Sequence, residues 1–349
     1  MGNTGIRQLI GTLVVAITVI GASGLSWAVD GVTEINQAAA LAGGVALGDL
    51  PGFPVTIGTD GNFRLTSSLA PQTSGTAIEI TATGVKLDLN GFRIVCDVNC
   101  AQQPPGFAID ASATATTRVE NGSVLYNAGM GIALGARSHV SNVQVFNATD
   151  TIVMGDYASV DNVFVENGKG SAAISVGNNS RVSDVQAIDT SGAGVVVGEN
   201  SIVARAHAYS NTGDGILADV GSTISQSVSS FNRPVGRGIH VTEGTVVDCV
   251  TRNNADDGIS IGVGVASRNT ATANTGDGID CGRSCSVVGN TVRDNAEHGL
   301  EGPFSLVLCS GIMGYGQNVI ESNTGGTIGN VGCTDELNQN VCDGNLTCP

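Results

Sequence analysis

Aliphatic side chains return at nearly constant intervals along the middle of the chain. Each follows a glycine or another small residue, and successive members are 20 to 23 residues apart. A second stretch begins about eight residues after most of them and alternates aliphatic with polar side chains, which is typical of a strand with one buried face. The repeated aliphatic positions are Ile132, Ile152, Ile174, Val195, Ile216, Ile239, Ile259, Ile279 and Leu300.

This interval predicts an all-β parallel β-helix, a solenoid with coils of about 21 residues. The unit is too short for a strand, a crossover helix and a second strand, and it has no helical period. Stacked coils about 4.8 Å apart would place equivalent side chains above one another. The repeated aliphatics would then form a dry core.

A repeated asparagine supports the same interpretation. Because a side-chain amide both donates and accepts, stacked asparagines are expected to form a ladder at a turn, where asparagine also tolerates the left-handed backbone conformation. We expect the glycine before each aliphatic to supply the same backbone freedom. The asparagines five residues before an aliphatic are Asn127, Asn147, Asn211, Asn254, Asn274 and Asn295.

The ends of a solenoid expose its core and need caps. A short helix over 33–41 is predicted for the first end, and a cysteine-rich segment for the second. The predicted organisation is a signal peptide over 1–28, an N-terminal cap over 29–75, the parallel β-helix over 76–308 and a disulfide-bonded cap over 309–349.

The N-terminus has the features of a secretory signal peptide. Arg7 precedes an apolar stretch over 9–20, which is shorter than a membrane span, and small residues follow around Trp27. We therefore expect a secreted protein, extracellular or periplasmic, with no membrane span after cleavage.

Composition narrows the function. The chain has 349 residues, 50 of them glycine, and only 13% are charged and 4% aromatic, which is unlike an ordinary globular enzyme. Cleavage after residue 28 would leave 14 basic and 31 acidic groups, a net charge of −17, so nucleic acid is a poor partner.

All nine cysteines follow the predicted signal peptide, and in an oxidising compartment they are expected to pair. The spacing suggests three short-range pairs and one longer one, and it leaves Cys249 unpaired. The suggested pairs are Cys96 with Cys100, Cys281 with Cys285, Cys342 with Cys348 and Cys309 with Cys333.

The unit N-x-x-D-G-I occurs at 211–216, 254–259 and 274–279. It resembles the coil of right-handed parallel β-helix proteins of the pectate-lyase-like superfamily, over roughly 76–325. The resemblance implies a right-handed solenoid, in agreement with the handedness of parallel crossovers.

Stacking would also bring together the residues two positions before each aliphatic. There Asp257, Asp277 and His298 follow one another on successive coils. This order resembles the site of polygalacturonase-like glycoside hydrolases, whose patterns are N-T-D, D-D and G-H-G. The resemblance implies that Asp277 is the general acid, that Asp257 and Asp256 activate water, and that His298 orients a carboxylate. It also implies an extracellular polysaccharide or cell-surface glycan as the partner.

The sequence departs from that pattern in two ways. The double aspartate, Asp256-Asp257, lies one coil lower than in the family, and the family's Arg-x-Lys has no counterpart after Gly299. Short coils also leave little chain for the long loops that wall a substrate cleft. A non-catalytic secreted or envelope scaffold, or an adhesive protein, therefore remains the alternative.

Neighbouring positions complete the candidate site. The residues expected to contact substrate are Arg237, His240, Asp280 and Glu301. An arginine in this place also commonly pairs with an acid, here Asp214 or Asp257. Hydrolysis at this site would require no cofactor. Bound Ca²⁺ is a further interpretation of the acidic cluster, with the ligands Asp256, Asp257, Asp277 and Asp280.

Overall fold

The fold is a parallel β-solenoid of about 13 turns, as the repeat predicts. It is known from a computed structural model. The structure describes residues 31–71, 75–96, 106–127, 129–303, 311–330, 333–344 and 348. The predicted signal peptide, Cys100 and Cys309 lie outside these residues.

One short helix and many short strands make up the described chain. The first elements are β1 (Val32–Ile35), α1 (Gln37–Ala42), β2 (Val55–Ile57), β3 (Gly61–Leu65), β4 (Ile78–Ile80), β5 (Val85–Asp88), β6 (Arg93–Cys96), β7 (Phe107–Ala111), β8 (Arg118–Tyr126), β9 (Met130–Leu134), β10 (His139–Phe146), β11 (Ile152–Met154), β12 (Ser159–Glu166), β13 (Ala172–Val176), β14 (Arg181–Ile188) and β15 (Ala193–Val197).

The remaining coils continue the pattern. Their strands are β16 (Ile202–Ala204), β17 (His207–Tyr209), β18 (Ile216–Ala218), β19 (Ser222–Ser225), β20 (Val228–Ser230), β21 (Ile239–Val247), β22 (Val250–Arg252), β23 (Ile259–Ser267), β24 (Thr270–Thr272), β25 (Ile279–Val288), β26 (Thr291–Arg293), β27 (His298–Glu301), β28 (Met313–Gly316), β29 (Val319–Glu321), β30 (Gly326–Gly329), β31 (Thr334–Glu336) and β32 (Val341–Cys342).

These strands form three parallel sheets, one along each wall of the solenoid. The first sheet runs from β2 to β30, the second from β1 to β31 and the third from β6 to β32. Long strands such as β10 and β14 turn the corner between the second and third sheets. Each coil therefore pairs with the coil before and the coil after it.

The aliphatic period is the vertical register of the first sheet. Ile239 pairs with Ile259, Ile259 with Ile279, and Ile279 with Leu300, and all four side chains are fully buried. Burying equivalent aliphatic groups on every coil builds one continuous core without large rings. The predicted stacking of the repeated aliphatic positions is confirmed.

Two buried asparagine ladders run along the solenoid. In each, the backbone N–H and the Nδ2 group of one asparagine both donate to Oδ1 of the asparagine on the next coil, at 2.8 to 3.2 Å. The first ladder contains Asn211, Asn232, Asn254, Asn274, Asn295 and Asn323, and the second contains Asn269, Asn290, Asn318 and Asn340.

The ladder prediction needs two corrections. Asn147 is not a member of the buried ladder, because it occupies the left-handed position (φ 57°) and its side chain meets that of Asn167 at the surface. In the ladder itself the left-handed residue is the one before the asparagine, as at Asn253 before Asn254. A short turn needs one such residue, and the next one points inward.

The glycine before each aliphatic is required by the ladder rather than by its own backbone angle. Gly258 does not have a positive φ, but a Cβ added there would lie 2.6 Å from Nδ2 of Asn274. At Gly238 the same atom would lie 2.8 Å from Nδ2 of Asn254. The motif N-x-x-D-G-I therefore pairs a buried amide with the only residue that leaves room for it.

The first end of the solenoid differs from the prediction. Residues Val32–Ile35 form a strand that pairs with β3, so the expected helix over 33–41 is wrong at its start. The helix is Gln37–Ala42, and Asn36 caps it by accepting from the backbone N–H of Ala39. A strand suits this segment because it buries Ile35 in the core and leaves the charged Glu34 exposed.

Parallel pairing continues on both sides of the predicted 76–308 range. β1 to β3 already stack before it, and β28 to β32 stack after it. The disulfides Cys281–Cys285 and Cys342–Cys348 are formed as predicted, and Cys249 is a buried free thiol. Cys96 and Cys333 are also disulfide-bonded, whereas their predicted partners lie outside the described residues. In the described part of the chain, none of the helices has the length and apolar character needed to cross a membrane.

Candidate active site

The structure stacks the predicted catalytic residues on adjacent coils of the first sheet. The glycine after each one donates its backbone N–H to the carbonyl oxygen of the next member, at 2.8 to 2.9 Å. Arg237, Asp257, Asp277 and His298 follow one another in this way, with Asp214 one coil below. We call these five residues the ionisable column.

The aspartates of the column also hold the coils together. Asp257 accepts the backbone N–H of Asp277 at 2.9 Å, and Asp277 accepts that of His298 at 2.7 Å, each through Oδ1. Far from the column, Asp156 accepts the backbone N–H of Asn178 at 2.8 Å in the same manner. The aspartates therefore have a structural role that does not by itself require chemistry.

Two carboxyl groups of the column titrate close to neutral pH. Burial raises the pKa of Asp257 to about 7, and the negative charges of Asp256, Asp280 and Asp277 add to the effect. Burial likewise raises the pKa of Asp277 to about 6, although the backbone N–H of His298 opposes it. A carboxyl group that keeps its proton near neutral pH can act as a general acid.

A second row of polar side chains lies beside the column, one position after each aliphatic. Ser260 pairs with Asp280, and Asp280 with Glu301, in the sheet register. The hydroxyl of Ser260 donates to Asp280 at 3.0 Å. Burial raises the pKa of Asp280 and of Glu301. The predicted contact residues Asp280 and Glu301 thus face the same wall as the predicted acids.

His298 joins the two rows. Its Nδ1 atom lies 3.4 Å from Asp277 and 3.2 Å from Glu301, and its side chain is 35% exposed. Ligand atoms of Asp277, His298 and Glu301 all lie within 4.8 Å of one another. The site therefore presents an imidazole between two carboxyl groups, next to solvent.

This trio differs from the four aspartates suggested as Ca²⁺ ligands. Within the described residues, it is the group of three or more potential ligands that the structure brings together. Asp256 instead turns toward Arg237, with its Oδ2 3.5 Å from Nε. A histidine nitrogen and two carboxylates suit a transition metal as well as they suit a shared proton.

The lower end of the site carries its positive charge. Nη1 of Arg237 lies 2.6 Å from Nδ1 of His240, which lies 3.5 Å from Asp214. Burial alone would raise the pKa of Asp214, but hydrogen bonds from His240 and from the backbone of Arg237 outweigh it and lower that pKa. Arg237 was expected to pair with Asp214 or Asp257, but its side chain reaches Asp256.

The outer face of the first sheet changes character along its length. Below the site, the row beside the column is mainly apolar, and it becomes ionisable from His240 onward. Its members are Ala133, Val153, Ser175, Val196, Leu217, His240, Ser260, Asp280 and Glu301. Before Ala133 the row continues to Asp110 and Glu79, so titratable groups lie at both ends of this wall and an apolar stretch lies between them.

The sequence did not predict one residue of the site, Asn330. Asn330 donates through Nδ2 to Oε1 of Glu301 and at 3.3 Å to the backbone oxygen of Gly302. It belongs to the coil of β30, which follows Leu300 by 28 residues at Ile328. The longer coil breaks the period, so the sequence did not align Asn330 with the column.

Comparison with known proteins identifies the fold. No family model matches the chain, and a search of curated proteins finds no match either. Among solved structures, a double mutant of the periplasmic alginate epimerase AlgG is similar with 14% identity and a TM-score of 0.53, over 87% of this chain and 81% of that one. The unmutated AlgG gives 13% identity and a TM-score of 0.51, over 88% and 82%. The pectate lyase Pel9A gives 15% identity and a TM-score of 0.47, over 88% and 79%.

The identities are low, so these similarities concern the fold. The chain has the parallel β-helix architecture of pectate-lyase-like proteins, as the N-x-x-D-G-I units suggest. The assignment of an activity depends on the residues of the ionisable column and its neighbours.

Proposed function

We propose that this protein binds and processes an extracellular or periplasmic polysaccharide at the ionisable column, by polygalacturonase-like hydrolysis of a glycosidic bond. The observation that carries the proposal is the stacking of Asp257, Asp277 and His298 on adjacent coils of one exposed wall. The fold neighbours, an alginate epimerase and a pectate lyase by name, support a polysaccharide as the class of substrate.

In this mechanism Asp277 protonates the leaving-group oxygen. Because its pKa is raised to about 6, a fraction of this carboxyl group keeps its proton just below neutral pH, and His298, 3.4 Å away, holds the carboxyl group in place and meets a polar group of the sugar. Asp257 serves as the partner that activates water, and since its own pKa is about 7, only its ionised fraction can do so. The active form, with Asp277 protonated and Asp257 ionised, is therefore most populated between about pH 6 and pH 7. Asp256 lies beside Asp257 and adds negative charge, while its salt bridge orients Arg237.

Substrate contacts follow from the neighbouring groups. Arg237 and His240 offer donors to a sugar carboxylate or hydroxyl at the lower end, and Asp280 and Glu301 accept from hydroxyls at the upper end. The apolar row below His240 continues the same wall. A glycan chain lying along the solenoid would therefore meet apolar surface first and ionisable groups at the point of reaction.

The experiment compares Asp277→Asn with Asp156→Asn on a panel of polysaccharides that includes polygalacturonate, alginate and neutral glucans. Both aspartates accept a backbone N–H, and asparagine keeps that acceptor, so both variants should fold. Release of reducing ends should fall by about a hundredfold or more in Asp277→Asn and remain within about twofold of wild type in Asp156→Asn.

Two results would contradict the proposal. Equal activity in the two variants would remove Asp277 from the chemistry. If wild type releases no reducing ends from any glycan, with or without Ca²⁺, the hydrolase is wrong. Asp277 would then only accept a backbone N–H from the next coil, as Asp156 does, and this purely structural role would favour the scaffold or adhesive function. Detection of unsaturated or epimerised products in the same samples would assign a different reaction to the same wall.

A further inference from the structure

A groove of about 460 Å³ lies on the third sheet, on a different wall from the ionisable column. It runs across the coils of β8, β10, β12 and β14, at the corner between the second and third sheets. Its volume falls in the range of small-ligand sites. The lining residues that matter here are Arg93, Ser123, Gln144, Phe164, Gln186 and Asp184.

Five of these residues form one vertical row that points outward from the sheet. Arg93 pairs with Ser123, Ser123 with Gln144, Gln144 with Phe164, and Phe164 with Gln186 in the strand register. Strands lie about 4.8 Å apart, so the row from Ser123 to Gln186 spans roughly 14 Å. An aromatic ring thus lies between two amides along the axis of the solenoid.

The two amides are free to bind a ligand. Gln144 and Gln186 are exposed, and within the described chain neither side chain takes part in a hydrogen bond. Each amide offers two donors and one acceptor oxygen. At the rim of the groove, by contrast, the Nδ2 groups of Asn142 and Asn162 donate to the asparagine of the preceding coil.

The ring between the amides is held in position. Phe164 is partly exposed, and the ring of Phe146 packs against it in a tilted arrangement with 5.8 Å between the ring centres. A rigid aromatic face beside amide groups suits a sugar ring, which has an apolar C–H face and hydroxyls at its edge. The rings of Phe164 and Phe146 need little rearrangement when the ligand binds.

Charge and backbone pairing make other ligands a poor fit. The one carboxylate in the groove, Asp184, is held by two hydrogen bonds from Arg205, and Arg93 donates to Ser123. With a net charge of −16, the chain repels nucleic acid. The backbone groups of the strands are used within the sheet, so a peptide strand cannot be added to its face.

We propose that this groove is a second, non-catalytic carbohydrate-binding site, which takes a neutral oligosaccharide lying parallel to the solenoid axis. The inference goes beyond the proposed function, because it uses none of the residues of the ionisable column. Phe164 stacks on one sugar ring, and Gln144 and Gln186 bind hydroxyl or acetamido groups of the glycan on either side of that ring. The site anchors a glycan without cleaving it.

Calorimetric titration tests this with three neutral probes, the hexasaccharides of β-linked glucose, mannose and N-acetylglucosamine. Wild type should bind at least one probe. Phe164→Ala should weaken that binding by about fivefold or more, and the double variant Gln144→Ala/Gln186→Ala by a similar factor or more. Phe164→Tyr should restore it to within about twofold. The matched control is Thr291→Ala, which changes the equivalent outward position on a distant coil.

The same titrations separate this site from the ionisable column. Binding that persists in Asp277→Asn but weakens in Phe164→Ala supports the groove. Binding that weakens in Asp277→Asn and not in Phe164→Ala would place the glycan at the column and overturn the inference, while leaving the proposed function intact. Absence of binding to all three probes would also overturn it. Thermal unfolding of each variant confirms that the solenoid is formed.

Discussion

One oxygen atom of Asp277 serves two parts of His298. Oδ1 accepts the backbone N–H of His298 at 2.7 Å and lies 3.4 Å from Nδ1 of its ring. The bond that fixes the coil thus also fixes the distance between the carboxyl group and the imidazole. The role of Asp277 in stability is therefore coupled to the role proposed for it in catalysis, and two substitutions separate them.

Asp277→Asn and Asp277→Ala should differ in stability. The amide oxygen of asparagine can still accept the backbone N–H of His298, so the free energy of unfolding should stay within about 1 kcal/mol of wild type. Alanine leaves that buried donor unpaired and should cost about 1–3 kcal/mol. Urea denaturation measures both. Equal stability of the two variants would show that the hydrogen bond contributes nothing.

Asp257 should make stability fall as pH rises through neutrality. Its pKa is about 7 in the folded chain, against an ordinary value of 3.8, so between these values the folded state binds more protons than the unfolded state. The stabilisation is complete below about pH 4 and is lost as pH passes 7. Partial exposure limits the effect to on the order of 1–2 kcal/mol.

The measurement is the difference in free energy of unfolding between wild type and Asp257→Asn from pH 4 to 8. Subtraction removes the contributions of other acids, such as Asp184 and Asp248, whose arginine partners lower their pKa. The difference should decline across this range. A flat difference would mean that Asp257 titrates at its ordinary value.

Loss of an asparagine from a buried ladder should destabilise the protein far more than loss of one of the stacked asparagines at the surface. Asn274 accepts two hydrogen bonds from Asn254 and donates two to Asn295. Asn274→Ala leaves several buried hydrogen-bond donors and acceptors unpaired and should lower the free energy of unfolding by roughly 2–4 kcal/mol. Asn162→Gly, which removes a bond at the exposed corner and suits the left-handed backbone there (φ 49°), should cost less than about 1 kcal/mol. Comparable losses in chemical denaturation would contradict this distinction.

Cys249 should resist alkylation in the folded protein. Its side chain is buried, and burial raises the pKa of its thiol to about 11, so very little reactive thiolate forms at neutral pH. Iodoacetamide should leave Cys249 unmodified in native buffer and modify it rapidly in urea, as peptide mass spectrometry would show. Fast native labelling at Cys249 would indicate that its coil opens.

The sequence predicts the features of the fold and of the site that recur from coil to coil. A period near 21 placed Ile239 above Ile259 and Asp257 next to Asp277, because parallel strands keep equivalent residues in register. It also predicted the disulfides Cys281–Cys285 and Cys342–Cys348 from short separations. Such features depend on spacing alone, and spacing is visible along the chain.

Features that cross irregular coils were not predictable. Asn232 joins the buried ladder, but an inserted turn places it seven residues before Ile239 instead of five. Tyr209 and Phe231 lie in contact, with ring centres 5.5 Å apart, although the tyrosines share no common register in the sequence. The direction of the Asp256 side chain, toward Arg237, depends on local charge and not on the repeat.

The second asparagine ladder gives the solenoid a direction. Asn269, Asn290 and Asn318 each donate two hydrogen bonds to the asparagine on the C-terminal side, and each Nδ2 group also donates one to a carbonyl oxygen of the preceding coil. The last member, Asn340, donates to Glu336 and to the backbone oxygen of Asn338. Cutting away the last coil would leave two donors of Asn318 without an acceptor, whereas loss of the coil before Asn269 would leave one donor and one acceptor of Asn269 without partners. The two faces that a broken coil would expose are therefore chemically different, with donors in excess on the side that faced the C-terminal end.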